Sequence, residues 1–451
     1  MFSSRLPKDI SPSPFFAELE RVKTCAKKDA AEGGLSFIDM TVSSPVKVGL
    51  PIDLNAAVDE GRESFGCWNP DAAGWMSARE AVVEYYRERG GNFTAGQIIL
   101  TASTSEAYSV LFKTFCDPGD VILTPMPGYP LLDTLAQLEH LECAPYFLQL
   151  RRENARKLAT DERREGAAFR FVLDTDSLLA APERAKILLL VSPHNPTGHC
   201  ISREEWNAAV RFCEENGMVL VVDEVFGDYA FSDKVKRTWE YVFGLCPPEP
   251  SLSQSSPSKS FSTEGRKSIH CRFNDFWDAG GGDFINLPED GPKCPIFWLN
   301  GLSKAVGSPQ LKLGWMAFYA PRERFEEIRA ALEFVEDAYL SVSAPAQALG
   351  SALLKQSAAY ESRVKERLLQ NWQTLREAFP SKYCPEVLGG WYAVVRLGED
   401  DEDLTLRLLR EKHVLVQPGF FFDFDKDGWV VISLLQEPAL FKEAVRRMGA
   451  R

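Results

Sequence analysis

The sequence predicts an α/β protein, a mostly parallel sheet covered by helices with a smaller α+β domain after it. Short β-rich runs alternate with longer helical patterns through the first 320 residues, as they do when crossover helices cover the faces of a parallel sheet. After Pro321 the pattern changes to long helices rich in Glu, Arg and Ala, followed by a few strands. The 451 residues, 45% apolar and 25% charged, suffice for two or three cores at ~150 residues each.

In chain order, strands are expected at 98–102, 121–124, 185–191, 218–222, 296–299 and 314–319, each a short apolar run. A helix should begin at Ser103, whose spacing to Glu106 is that of a capping box, and stop at Pro118-Gly119. Ser202 and Glu205 repeat the same start signal. Beyond Pro321, helices are expected over 322–340 and 346–378, then strands at 392–397, 414–417 and 429–434 and a last helix from Pro438. The expected division is an N-terminal arm over 1–50 contributing to the small domain, a large domain over 51–320 and a small domain over 321–451. Within the large domain, 246–292 reads as a partly disordered surface insertion. It carries four prolines between Cys246 and Pro257, and seven of the twelve residues 251–262 are serine, too little apolar surface to offset chain entropy.

Composition also excludes. A net charge of −13, from 51 basic and 64 acidic residues, argues against nucleic acid, which draws on clustered Lys and Arg. No apolar run approaches the ~20 residues that span a bilayer, and residues 1–14 are polar and Pro-punctuated, so no membrane association and a cytoplasmic enzyme are expected. Ten cysteines without a C-x-x-C pair and five histidines without i, i+4 spacing suggest neither a disulfide framework nor a metal site.

Chemistry gathers just after the apolar runs. Ser103-Thr104-Ser105 opens a helix; the plain reading is an N-cap, the functional one a phosphate at the positive helix end. Asn195 stands between prolines after 185–191, Asp223 ends 218–222, and Lys304 follows 296–299 among small residues. Taken singly, each is an ordinary loop, cap or solvated residue. In an open parallel sheet, however, all carboxyl ends lie on one edge, where ligands bind. A phosphate cradle, an amide, a carboxylate and a lysine together suit pyridoxal 5′-phosphate, which needs a Schiff-base lysine and an acid beside its pyridine nitrogen.

On Asn195-Pro196-Thr197-Gly198, Asp223-Glu224-Val225, and Gly301-Leu302-Ser303-Lys304 followed by Lys312-Leu313-Gly314, the chain resembles the class I/II aminotransferases of fold type I over roughly residues 35–448. The resemblance implies a pyridoxal-phosphate-dependent aminotransferase, a homodimer taking an amino acid or amine as donor and a 2-oxo acid as acceptor. By position, Lys304 would form the internal aldimine and shuttle the α-proton, and Asp223 would pair with the pyridinium nitrogen. Asn195 would hydrogen-bond the phenolic oxygen, and Tyr129 would stack on the ring. Ser103, Thr104, Ser105, Ser303 and Lys312 would hold the phosphate. A carbon–sulfur β-lyase on the same scaffold is the alternative, and a non-catalytic cofactor-binding module the rival from another class.

Four departures accompany the match. Lys312 stands where the family usually has arginine, keeping the charge without the planar fork. Phe226 replaces a tyrosine, and Trp68 lies near the position of a partner-supplied aromatic hydroxyl. Val431 occupies the place of the arginine that clamps the substrate carboxylate, and no arginine lies between 411 and 445. Trp391-Tyr392 and Phe420-Phe421-Phe422 either pack the small domain or line an apolar substrate pocket.

Overall fold

A computed structural model describes residues 3–7, 11, 13–154, 167–244, 288, 291–340, 342–398 and 400–449. The surface insertion expected at 246–292 lies outside these residues except at 288, 291 and 292. Helix α1 (Pro14–Ala31) leads to the short strand β1 (Ile38–Asp39), and α2 (Leu54–Gly61) and α3 (Met76–Arg87) follow. The large sheet comprises β2 (Ile98–Thr101), β3 (Val121–Met126), β4 (Glu142–Asn154), β5 (Ala167–Leu173), β6 (Ala185–Val191), β7 (Val219–Asp223), β8 (Ile296–Gly301) and β9 (Gly314–Tyr319). Between these strands run α4 (Thr104–Phe115), α5 (Leu131–Leu138), α6 (Arg203–Asn216), α7 (Glu240–Phe243) and the single-turn α8 (Leu302–Ala305). The chain continues through α9 (Phe325–Tyr339), α10 (Ala344–Leu354), α11 (Ser357–Ala378), β10 (Tyr392–Arg396), α12 (Asp401–Lys412), β11 (Val414–Leu415), β12 (Gln417–Pro418), β13 (Trp429–Ser433) and α13 (Pro438–Arg447).

Strand order in the large sheet is β2-β9-β8-β7-β6-β3-β4-β5. The run from β4 to β8 is parallel, while β9, β2 and β5 join antiparallel at the two sides. Central strands bury both faces, and period-two alternation splits them between two cores. On β6, Leu188 and Leu190 belong to one core and Ile187, Leu189 and Val191 to the other. Tyr108 and Phe112 of α4, with Phe325, Ile328 and Leu332 of α9, cover the second face. Packing on the large sheet thus extends past Pro321.

The hairpin β4–β5 has no counterpart among the expected strands. It lies at the sheet's side, where Arg151 faces Arg170 across the ladder and charged residues end the apolar run of β4. The expected helix over 346–378 is two helices, broken at Lys355-Gln356. In the C-terminal region β10, β13 and β12 form an antiparallel sheet, and β1 pairs in parallel with β11. The N-terminal segment is tied there: Val22 and Ala26 of α1 pack with Leu409 and Leu415, and Ser433 N donates to Met40 O at 2.7 Å.

Candidate active site

Register brings the functional residues to one sheet edge. Val191 pairs with Asp223 and Asp223 with Leu299, so the loop after β6, the end of β7 and the turn carrying Lys304 lie side by side. Alternation then separates Asp223 from its neighbour. Glu224 is buried on its own partners, accepting from Thr238 N at 2.7 Å and Oγ1 at 2.6 Å. Asp223 Oδ2 instead accepts from the Tyr108 hydroxyl at 2.7 Å, and Oδ1 from Val225 N at 3.0 Å.

Lys304 belongs to α8, begun where Leu302 N donates to Leu313 O at 3.0 Å. Its main-chain carbonyl accepts from the Tyr229 hydroxyl at 2.6 Å, anchoring the turn from below. The amine lies 4.7 Å from the Trp391 ring centroid and 5.5 Å from that of Phe226. Burial pushes it down to about 8, with the Asp223 charge pulling the other way. Burial likewise raises Asp223, opposed by Tyr108, Val225 and Lys304. Burial holds His194 at about 3, so this ring beside Thr197 is neutral.

Glycines allow the phosphate-side elements to meet. A Cβ on Gly314 would come 3.1 Å from the Ser103 carbonyl carbon and 3.2 Å from Asn300 O, and one on Gly301 3.0 Å from Gly314 Cα. The helix start at Ser103, Thr104 and Ser105 therefore abuts the Lys312-Leu313-Gly314 segment. Ser103 Oγ accepts from Glu106 N at 3.2 Å, while the Glu106 carboxylate takes the Ala102 N–H. The Ser103 hydroxyl is thus engaged in capping, and Thr104 and Ser105 stand half-buried in the first turn with Ser303 half-buried near the lysine. Lys312 is exposed, with φ +52°.

The Asn195 loop is pressed on the segment before Trp391: a Cβ on Gly198, φ +68°, would lie 2.5 Å from Val387 Cγ1. Asn195 Oδ1 is buried without a hydrogen-bond partner. Tyr129 is half open to solvent, at 47%, and its loop is tied to the C-terminal region by Gly128 N donating to Phe422 O at 2.8 Å. Val431 is fully buried in the centre of β13, facing Val394 and Gln417.

Tyr108 escaped the sequence reading. The signal available was a phenol on the otherwise apolar inner face of α4, since a buried hydroxyl requires a partner. The donor set fits pyridoxal phosphate. A poorly solvated amine, a half-buried carboxylate and a half-buried amide face the same edge as a helix N-terminus. Among the described residues no group of His, Cys, Asp and Glu has the arrangement of a metal site.

The sequence profile of the family described as aminotransferase class I and II matches residues 67–268 and 273–448. Tyrosine aminotransferase of Caenorhabditis elegans is 20% identical over 78% of this chain and 64% of its own length. Glutamate-pyruvate aminotransferase of Haemophilus influenzae is 21% identical over 93% of this chain and 91% of its own. The solved alanine aminotransferase of Pyrococcus furiosus superposes with a TM-score of 0.72 at 19% identity, covering 98% of this chain and 100% of that one, a likeness of fold.

Proposed function

The chain belongs to the class I and II aminotransferases, and from that premise we propose that it moves an amino group from an amino acid or amine to a 2-oxo acid, using pyridoxal 5′-phosphate bound at Lys304. The observation that carries the assignment is the Lys304 amine, desolvated over two aromatic rings and facing Asp223. When bound, the cofactor supplies an aldehyde for amine exchange and an electron-poor ring that accepts the electrons of the substrate Cα–H bond.

Burial lowers the energy needed to strip Lys304 of its charge, so Nζ serves as nucleophile and proton carrier near neutral pH. The Asp223 carboxylate would face the ring nitrogen and favour its protonated form. Asn195 would meet the phenolic oxygen with its amide donor, and Tyr129 would lie against the ring. Ser103, Thr104, Ser105, Ser303 and Lys312 are assigned to the phosphate. In that role Ser103 shapes the helix start by capping Glu106 N, and Thr104 and Ser105 offer first-turn donors ahead of it, where a helix leaves N–H groups free for an anion.

The same reading takes 51–320 as the cofactor-binding unit, 321–451 as the smaller unit and 1–50 as an arm on the latter. A homodimer is supported by apolar surface left open at Trp68 and Phe334, 78% and 80% exposed. A cytoplasmic setting is supported by the eight described cysteines, all free thiols. Among the described residues no helix is long and apolar enough to cross a membrane.

Borohydride reduction of the cofactor-loaded protein, followed by peptide mapping, should place the label on Lys304. A label on another lysine refutes the assignment. Spectra recorded with a panel of amino acids and amines then separate the reactions: the pyridoxamine form marks transamination, whereas 2-oxo acid with free ammonia marks elimination.

A further inference from the structure

We propose that Tyr108 is a positioning residue for Asp223, its hydroxyl fixing the rotation of the carboxylate and holding it ionised to face a protonated ring nitrogen. The proposal rests on the cofactor reading above and adds to it a residue from a helix otherwise assigned only to the phosphate.

Two donors clamp Asp223 from two sides: the Tyr108 hydroxyl on Oδ2 at 2.7 Å and Val225 N on Oδ1 at 3.0 Å. A carboxylate offers about four acceptor positions, so one on each oxygen remains for a further N–H. Neither donor is lost at working pH. The peptide N–H does not titrate, and burial beside Asp223 pushes the Tyr108 phenol well above its ordinary value.

The ionisable groups facing the pair are few. Lys304 approaches from α8. Tyr146 of β4 stands beside Tyr108, but its hydroxyl is committed to Leu189 O at 2.9 Å. Among the described residues the Tyr108 phenol is therefore the side-chain hydrogen-bond donor of Asp223. It opposes the burial that by itself would neutralise the acid, and a neutral acid could not hold a ring proton.

The test compares the full-length wild type, Tyr108→Phe, Asp223→Asn and the double variant. In apoprotein, removing the phenol raises Asp223 further. An acid raised in the folded state loses stability as pH climbs towards its folded value. Urea unfolding should then show Tyr108→Phe losing more stability than wild type between pH 5 and pH 8, with the difference abolished in the Asp223→Asn background. In cofactor-loaded protein, kcat should fall roughly ten- to hundredfold, the effect of one hydrogen bond to a charged group, with KM nearly unchanged.

A pH-independent deficit of equal size in the wild-type and Asp223→Asn backgrounds, or an unchanged kcat, overturns the proposal. Should Tyr108→Phe fail to fold, carbon-13 aspartate spectra of wild-type apoprotein, with Asp223→Asn for assignment, read the same carboxylate: an ionised signal at pH 7 supports the role, a neutral one overturns it. The apoprotein comparison does not use the lysine label, so failure of the cofactor reading and failure of the Tyr108 role are told apart.

Discussion

The Lys304 amine lies over two aromatic ring faces. Phe226 stands in place of the family's tyrosine, and its ring packs 5.4 Å from Trp391, centroid to centroid, so the two aromatics form a corner under the amine. A ring face attracts an ammonium by ~0.5–2 kcal/mol but offers no proton acceptor. The corner therefore steadies the charged amine without trapping its proton. Replacing Trp391 with leucine removes the nearer face and favours the neutral form. The Lys304 midpoint in apoprotein, now about 8, should fall by roughly half a unit to one, as read from the pH dependence of modification by an amine-specific reagent. An unchanged or higher midpoint would show that Trp391 only fills space. Val431 gives the complementary lesson: fully buried between β10 and β12, it offers a substrate carboxylate no charge.

Among elements, the decisive contact is the meeting of α4 with β8 and β9. The register pairs Gly301 with Gly314, and the two glycines leave no Cβ between the strands and the helix start. Gly314→Ala would drive a methyl into the Ser103 carbonyl carbon, Asn300 O and Thr101 Oγ1, each within about 3.2 Å. Two of these three are main-chain atoms, one at the start of α4 and one on β8, and they yield only if the helix start or the strand moves. The variant should lose ~1–3 kcal/mol in urea unfolding and bind the cofactor more weakly, because the first turn of α4 is pushed from the Lys312 segment. Normal cofactor affinity in a destabilised variant would separate the phosphate role from the packing role.

Across the whole molecule, a buried ion cluster beneath the site joins distant parts of the chain. Asp228 accepts from Tyr85 at 2.7 Å and from Arg89 Nε at 2.8 Å, and Arg237 also donates to it. Arg89 reaches on to Glu361 of α11 at 3.0 Å. Burial alone would raise Asp228, but Arg237 and Arg89 prevail and hold it well below the usual carboxylate range. Its contribution is accordingly complete above the ordinary aspartate value and is lost as pH falls towards the depressed folded value. Asp228→Asn leaves two buried guanidinium groups short of a counter-charge. It should cost about 3–5 kcal/mol at pH 7, with a smaller deficit against wild type as the pH approaches 3. A deficit that is the same at pH 3 and pH 7 would rule out the ionic origin.

Local patterning along the chain was enough to order the strands and loops that put Asn195, Asp223 and Lys304 on one edge. That edge follows from short apolar runs, each ended by polar or small residues, and from the rule that parallel strands share a carboxyl side. The β4–β5 pair stayed illegible although β5 is apolar except at Arg170, because an antiparallel ladder at the side of a sheet depends on which two segments meet, and local composition does not record that. So did helix α1, whose partners Leu409 and Leu415 lie nearly four hundred residues away. Which groups touch emerged only once the chain was folded. Tyr108 reaches Asp223 across 115 residues, and Trp391, just before β10, reaches Lys304 of α8. Such contacts depend on how helices and loops settle on the finished sheet, and residue type records only that a phenol or a ring must be placed somewhere.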